Sequence, residues 1–314
     1  MRTLLACLAL LPVLAGAQDI RLPPETVRLK QMAARFAPVD IRVDLSGLPA
    51  SERRALASLV KAARVTDDLF MRQLWAGNQS MLLRLMEDDT TIGKARLEYF
   101  LVNRGPWSRL DDNAIFIPGA PAKPEAANFY PAGATNAEVE AWIAGLAGEE
   151  RAAATGFFTT IRRDTAGRFQ AVPYSLEYQG ELALMADALR EAAAATAEPT
   201  LKTFLEARAE AFLSNDYYAS DVAWMKLDSA VEPTIGPYEV YEDGWFNYKA
   251  AFEAFIAVRD ADATAKLERF GSELRWLEDR LPVDPAYRRK KLGGLAPMRV
   301  VNVVFSAGDG NHDV

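Results

Sequence analysis

The chain has 314 residues, a formal net charge of −7 and one histidine, His312. That acidity opposes association with nucleic acid or anionic lipid. A Ser-His-Asp triad, a Cys-His pair and a histidine-rich zinc site each need an imidazole at a structured position, and an imidazole on a terminal tail is poorly placed to supply one.

Residues 1–17 read as a secretory signal peptide. Arg2 supplies the positive end, Leu4 to Leu14 the apolar run, and Ala15-Gly16-Ala17 the small residues before a cut. The run is too short to span a membrane, and Ala17 stands where a lipoprotein signal needs cysteine. The expectation is an exported protein, periplasmic or secreted, with no integral membrane segment after cleavage. The only cysteine, Cys7, leaves with the leader, which excludes disulfides and a catalytic thiol. Arg2 leaves too, so −7 becomes −8.

Gln18 to Pro49 is punctuated by prolines, with alternation at Ile41 to Leu45 that predicts a short strand. Ser51 is expected to cap a helix to about Ala76, with Leu56, Leu59, Val60, Ala63, Phe70 and Leu74 on one stripe. Glu87 to Thr91 reads as a solvated turn, Leu97 to Ile117 as strand, turn and strand, and Pro118 to Pro131 as an ordered surface loop. Thr135 and Glu138 have the spacing of a capping box, opening a helix with Val139, Trp142 and Ile143 inward.

A strand pair is expected over Phe157 to Val172, then helices over Leu176 to Ala197 and from Pro199. The last long helix is expected from Lys249 to about Leu277, followed by a strand at Arg299 to Phe305 and a turn at Gly308 to Gly310. The fold class is α+β, predominantly α-helical with a small sheet or barrel-like β portion. The expected division is residues 18–232 as an N-terminal lobe and 233–314 as a strand, a long helix and the start of a further lobe.

Minor signals read as structure. Trp75, Trp107 and Trp142 suit a core, and Arg288 to Lys291 a solvated basic face. Asp309, Asn311 and Asp313 have calcium-loop spacing, but Val314 stands where the loop needs glycine. Gly308-Asp309-Gly310 lacks the helix a phosphate cradle needs.

The stretch "IGPYEVYEDGWFNYKAAFEAF", Ile235 to Phe255, is unusually rich in both aromatics and carboxylates. Pro233, Gly236 and Pro237 oppose helix before it, and Asp243-Gly244 marks a turn within it. If Tyr238 to Tyr241 is extended, alternation puts Glu239 and Tyr241 on one face. A carboxylate can hold an ammonium group, and a phenol can donate to an oxygen gaining negative charge. The same spacing also fits a wet strand face carrying a tyrosine.

Four pieces in order, "GPWSRLD" (Gly105 to Asp111), "NFYPAGATNAEVE" (Asn128 to Glu140), the 235–255 stretch and "VVNVVFSAGDG" (Val300 to Gly310), resemble bacterial relatives of dipeptidyl peptidase III, the zinc-dependent M49-type metallopeptidases. The resemblance covers about Ser51 to Gly310. It implies the N-terminal lobe of a two-lobed metallopeptidase that releases dipeptides from peptide N-termini. By the match at Gly236, Glu239 and Tyr241, Glu239 would bind the amino terminus of a peptide or amide substrate. Tyr241 would act as a catalytic residue, stabilising the tetrahedral intermediate. The family's zinc motif, His-Glu-x-x-Gly-His or its longer form, is not in this sequence. Zinc is therefore implied for a complete protein with no ligand in this chain, and the expectation is an incomplete, inactive portion of an exported hydrolase. An exported peptide-binding protein without catalysis is the alternative, and a metal-free hydrolase using two glutamates a weaker third. The sequence leaves oligomeric state open.

Overall fold

The computed structural model describes residues 22–292 and 299–308. The leader, the Gly308–Gly310 turn beyond its first residue, the calcium-like Asp309 to Asp313 and His312 lie outside the described residues.

Helix α1 (Pro24–Ala33) precedes an extended segment in which Ile41 to Leu45 forms no strand; with Ile41 exposed, alternation there has no sheet to join. Helix α2 (Ala50–Leu74) follows. Its cap is Pro49 rather than Ser51, and Ser51 lies inside the first turn. The predicted stripe is buried at Leu56, Leu59, Ala63, Phe70 and Leu74. Helix α3 (Asn78–Glu87) leads through the solvated 87–91 turn into α4 (Thr91–Asn103), capped by the Thr90 hydroxyl, which accepts from the Gly93 amide.

Leu97 to Asn103 is thus helix and not strand. The buried residues of α4, among them Ala95, Tyr99, Phe100 and Asn103, recur at helical spacing. Only β1 (Trp107–Ser108) and β2 (Ala114–Ile115) pair beyond it, after Arg104 ends the helix in the left-handed region. Residues 118–131 form an ordered connection in which Phe129 and Tyr130 are buried.

The capping box forms as predicted on α5 (Asn136–Ala144). Helix α6 (Gly148–Thr155), the hairpin of β3 (Thr159–Arg163) and β4 (Phe169–Pro173), and helices α7 (Tyr174–Glu177), α8 (Gln179–Ala195), α9 (Pro199–Ser214) and α10 (Tyr218–Met225) follow. Strand β5 (Val231–Glu239), which residue 233 falls within, pairs with β6 (Ala251–Arg259). Helix α11 (Ala261–Asp279) intervenes before β7 (Val301–Gly308), which closes an antiparallel sheet in the order β5–β6–β7.

The expected helix from Lys249 is a correction. Ala251 to Arg259 is the central strand of this sheet, and the helix begins only at Ala261. Seven of the nine residues of β6 are buried: β5 and β7 close its two edges, α2 packs against it, and the Tyr174, Tyr178 and Phe212 rings surround Phe252. A strand covered on both faces loses alternation and reads as a continuous apolar run. The sheet is open, so the barrel-like expectation gives way to three small antiparallel sheets among the described residues.

One large core joins α2, α8, α9, β5 and β6. A smaller core gathers Leu29, Met81, Leu85, Tyr99, Phe100 and Phe116 around Met71 of α2. Helix α2 therefore carries both cores, and Gln73 ties it to the sheet. The Gln73 carboxamide accepts from the Phe252 amide (2.8 Å) and donates to the Ala250 carbonyl (3.3 Å).

Candidate functional site

The end of β5 and the loop into β6 gather residues from three of the four sequence pieces. Asp243 is fully buried, and its carboxylate accepts from the Tyr130 hydroxyl (2.8 Å) and from the amides of Trp245, Phe246, Tyr248 and Lys249. Burial beside that carboxylate holds the Tyr130 phenol far above its ordinary range, so it stays a donor. Gly244 donates its amide to the Glu125 carbonyl (3.0 Å), and a Cβ there would come within 2.4 Å of the same oxygen. Glycine is required by this close approach.

Glu242 is held by Arg109 and Lys123, each at 2.8 Å. Arg109 belongs to the "GPWSRLD" piece, whose other polar residues are also engaged. The Ser108 hydroxyl lies 2.6 Å from the Tyr99 hydroxyl and donates to Asp111, and Arg35 pairs with Asp111. The hydrogen bonds from Arg35 and Ser108 hold the Asp111 carboxyl down at about 2. Ser108 is thus a structural node, not a nucleophile beside a base.

Lys249 is fully buried and donates to the Ala154 carbonyl (2.7 Å), the Gly156 carbonyl (2.9 Å) and the Thr159 hydroxyl (2.8 Å). Desolvation pushes its ammonium down to about 7, against the opposing pull of Asp243. Phe246 stacks on Tyr248 at 5.4 Å between ring centres. The aromatics and acids of the stretch therefore build a fixed loop, which no spacing argument had identified.

Glu239 ends β5, and its backbone pairs with Ala251. Tyr241 lies in the following turn with 77% of its surface exposed. The segment is not extended through Tyr241. A register irregularity sits between Pro237 and Glu239, and the Asp243 amide closes a turn onto the Val240 carbonyl. Alternation consequently does not set the relation of Glu239 to Tyr241; the bulge and the turn set it. Among the described residues, neither side chain has a hydrogen bond or ion-pair partner, whereas Glu242, Asp243 and Glu253 all do.

Sequence reasoning missed Arg208, which lies against this strand end. Its side chain is 1% exposed, its guanidinium pairs with Asp221, and it sits over the Phe204, Tyr217 and Tyr238 rings. No local pattern marks an arginine in a helix as buried. The glycine at 236 was the available signal, since its φ of +152° and missing side chain make room for that group.

Among the described residues, no group of three His, Cys, Asp or Glu side chains is placed to hold a metal. The described residues do not fit a zinc centre.

The profile of peptidase family M49 matches residues 157–294. The structure of dipeptidyl-peptidase III from Corallococcus sp. strain EGB is 64% identical with a TM-score of 0.84, over 93% of this chain and 54% of that one. The structure of DPP III from Caldithrix abyssi is 45% identical with a TM-score of 0.85, over 90% and 53%. Nudix hydrolase 3 of Arabidopsis thaliana is 36% identical over 333 aligned residues, which are 90% of this chain and 43% of that protein. The chain spans about half the length of these relatives.

Proposed function

We propose that this chain, a dipeptidyl-peptidase III-like chain of the M49 type, supplies the peptide-amine-binding part of an exported hydrolase that releases dipeptides from peptide N-termini. One observation carries the residue assignment. Within Ile235 to Phe255, Glu239 is the one carboxylate without a protein partner among the described residues, and Tyr241 beside it is the most exposed tyrosine. Glu239 ends β5 and Tyr241 follows in the turn, beside a loop pinned by the Asp243 carboxylate and the Glu242 ion pairs. A site held by rigid surroundings loses little to reorganisation when a ligand arrives.

In this reading Glu239 accepts from the substrate's terminal ammonium, and Tyr241 donates to the scissile carbonyl oxygen as negative charge develops on it. M49 peptidases are generally zinc-dependent, and the ligands would come from outside the residues described here. The 314 residues are then one portion of a longer enzyme. Coverage of 54% and 53% of the two solved peptidases supports this. Export rests on the leader-like residues 1–17.

The test uses the complete gene product containing this segment and short peptides with free or acetylated N-termini. Chelator-sensitive dipeptide release is expected. Tyr241→Phe should lower kcat by ~10–1000-fold with KM little changed. Glu239→Gln should raise KM for free N-termini only. A protein that binds peptides but releases no dipeptide would instead be an amine-binding module, and unchanged kinetics in both variants would remove these roles.

A further inference from the structure

We infer that Arg208 is a positioning residue that aims Glu239, and through it sets the preference for a free peptide N-terminus. The inference rests on the assignment of Glu239 to the substrate amine.

Strand β5 pairs residue for residue with β6 from Val231↔Val258 to Pro237↔Phe252, and the next pair is Glu239↔Ala251. Tyr238 is therefore an extra residue, a bulge. An extra residue exchanges the faces of everything after it, and bulges re-aim the side chains that follow. Which way Glu239 points depends on whether Tyr238 stays out of the ladder.

Arg208 forms the seat of that bulge. Its guanidinium lies 5.7 Å from the centre of the Tyr238 ring, and the Tyr238 hydroxyl donates back to the Ile235 carbonyl at 3.5 Å. Two residues earlier in the strand, the space a side chain would take at Gly236 is filled by Arg208, with Nη1 2.9 Å from the position of a Cβ. Gly236, Tyr238 and Arg208 thus fit as one unit directly before Glu239. On its far side Arg208 is anchored by Asp221 of α10 and flanked by the Phe204 and Tyr217 rings.

Stability alone is a poor explanation for this arginine. Its partner Asp221 is half exposed, and its Nε is buried with no partner among the described residues. A buried cation so incompletely compensated costs stability, and an apolar side chain of similar volume would fill the space at less cost. What an apolar replacement would not supply is the planar, charged platform under the Tyr238 ring beside a bare backbone.

The experiment uses the complete gene product and compares kcat/KM for a free tetrapeptide with that for its N-acetylated form. Glu239→Gln serves as the reference. Arg208→Met is expected to raise KM for the free peptide about tenfold, leave kcat within about threefold, and leave the acetylated peptide unaffected. Its effect should be absent in a Glu239→Gln background, because both act on the same contact. Should Arg208→Met fail to fold, Tyr238→Leu tests the same seat while keeping the Arg208–Asp221 pair, with the same loss expected.

If Glu239→Gln lowers the free-to-acetylated ratio but a folded Arg208→Met or Tyr238→Leu protein retains it, the inference is overturned. Equal losses of kcat on both peptides would also overturn it, since they would report general damage. If Glu239→Gln itself leaves the ratio unchanged, the assignment of Glu239 fails first.

Discussion

Lys249 illustrates how burial turns one side chain into a pH-dependent contribution to stability. Three oxygens hold its ammonium, yet desolvation brings it to about 7 from an ordinary 10.5. Between those values the unfolded chain binds the extra proton, so the free energy of unfolding rises with pH, by at most about 1.4 kcal/mol per unit. Below about pH 7 both states are protonated and the contribution is constant. Urea titrations from pH 7 to 9 should show this rise, and Lys249→Met should flatten it. Equal slopes in the two proteins would mean that Lys249 stays charged throughout. Glu239 and Tyr241 were legible as candidates because their types and spacing are visible along the chain. Lys249, Asp243 and Arg208 were not, because their roles arise from groups 13 to 113 residues away.

At the level of elements, the sequence errors arise where tertiary context overrides the local pattern. In β6 the run Ala-Phe-Glu-Ala-Phe-Ile-Ala-Val carries no period of two, since the strand is covered on both faces. In α4 the aromatic and β-branched residues suggest strand, but tertiary packing selects the helical spacing of Tyr99, Phe100 and Asn103. Signals that act within a few residues, such as the Thr135 capping box and the Pro199 helix start, read correctly. The weight carried by β6 is measurable. Phe252 is fully buried, with the Tyr174, Tyr178 and Phe212 rings around it. Phe252→Ala should cost about 3–5 kcal/mol in urea unfolding. A loss below about 1 kcal/mol would show that the core closes around the gap.

Over the whole molecule, α2 is the common wall of both cores and the contact between helices and sheet. At the end of the sheet that carries the β5–β6 loop, its Asp67 accepts from the Gly308 amide (2.8 Å) and pairs with Arg104 (3.0 Å), so β7 is fastened to the same helix as β6. The four sequence pieces, spread over some two hundred residues, meet as one arrangement. "GPWSRLD" and "NFYPAGATNAEVE" reach the β5–β6 loop through Arg109 and Tyr130, and β7 completes the sheet behind it. That convergence explains the aromatic and acidic density of Ile235 to Phe255. Most of the stretch is scaffold, while the Glu239 and Tyr241 side chains have no hydrogen bond or ion-pair partner among the described residues.

The carboxylate of Asp243 also has a consequence for the rate at which protons are lost to solvent. Trp245, Phe246, Tyr248 and Lys249 belong to no helix or strand, and their amides would ordinarily trade hydrogen for deuterium within seconds to minutes. Because all four donate to one buried acid, they should exchange only when the loop lifts as a unit, on the same schedule as the amides of β6. Deuterium uptake resolved to residues 245–249 would report this directly. Rapid uptake there beside a slow β6 would reveal a loop that opens by itself.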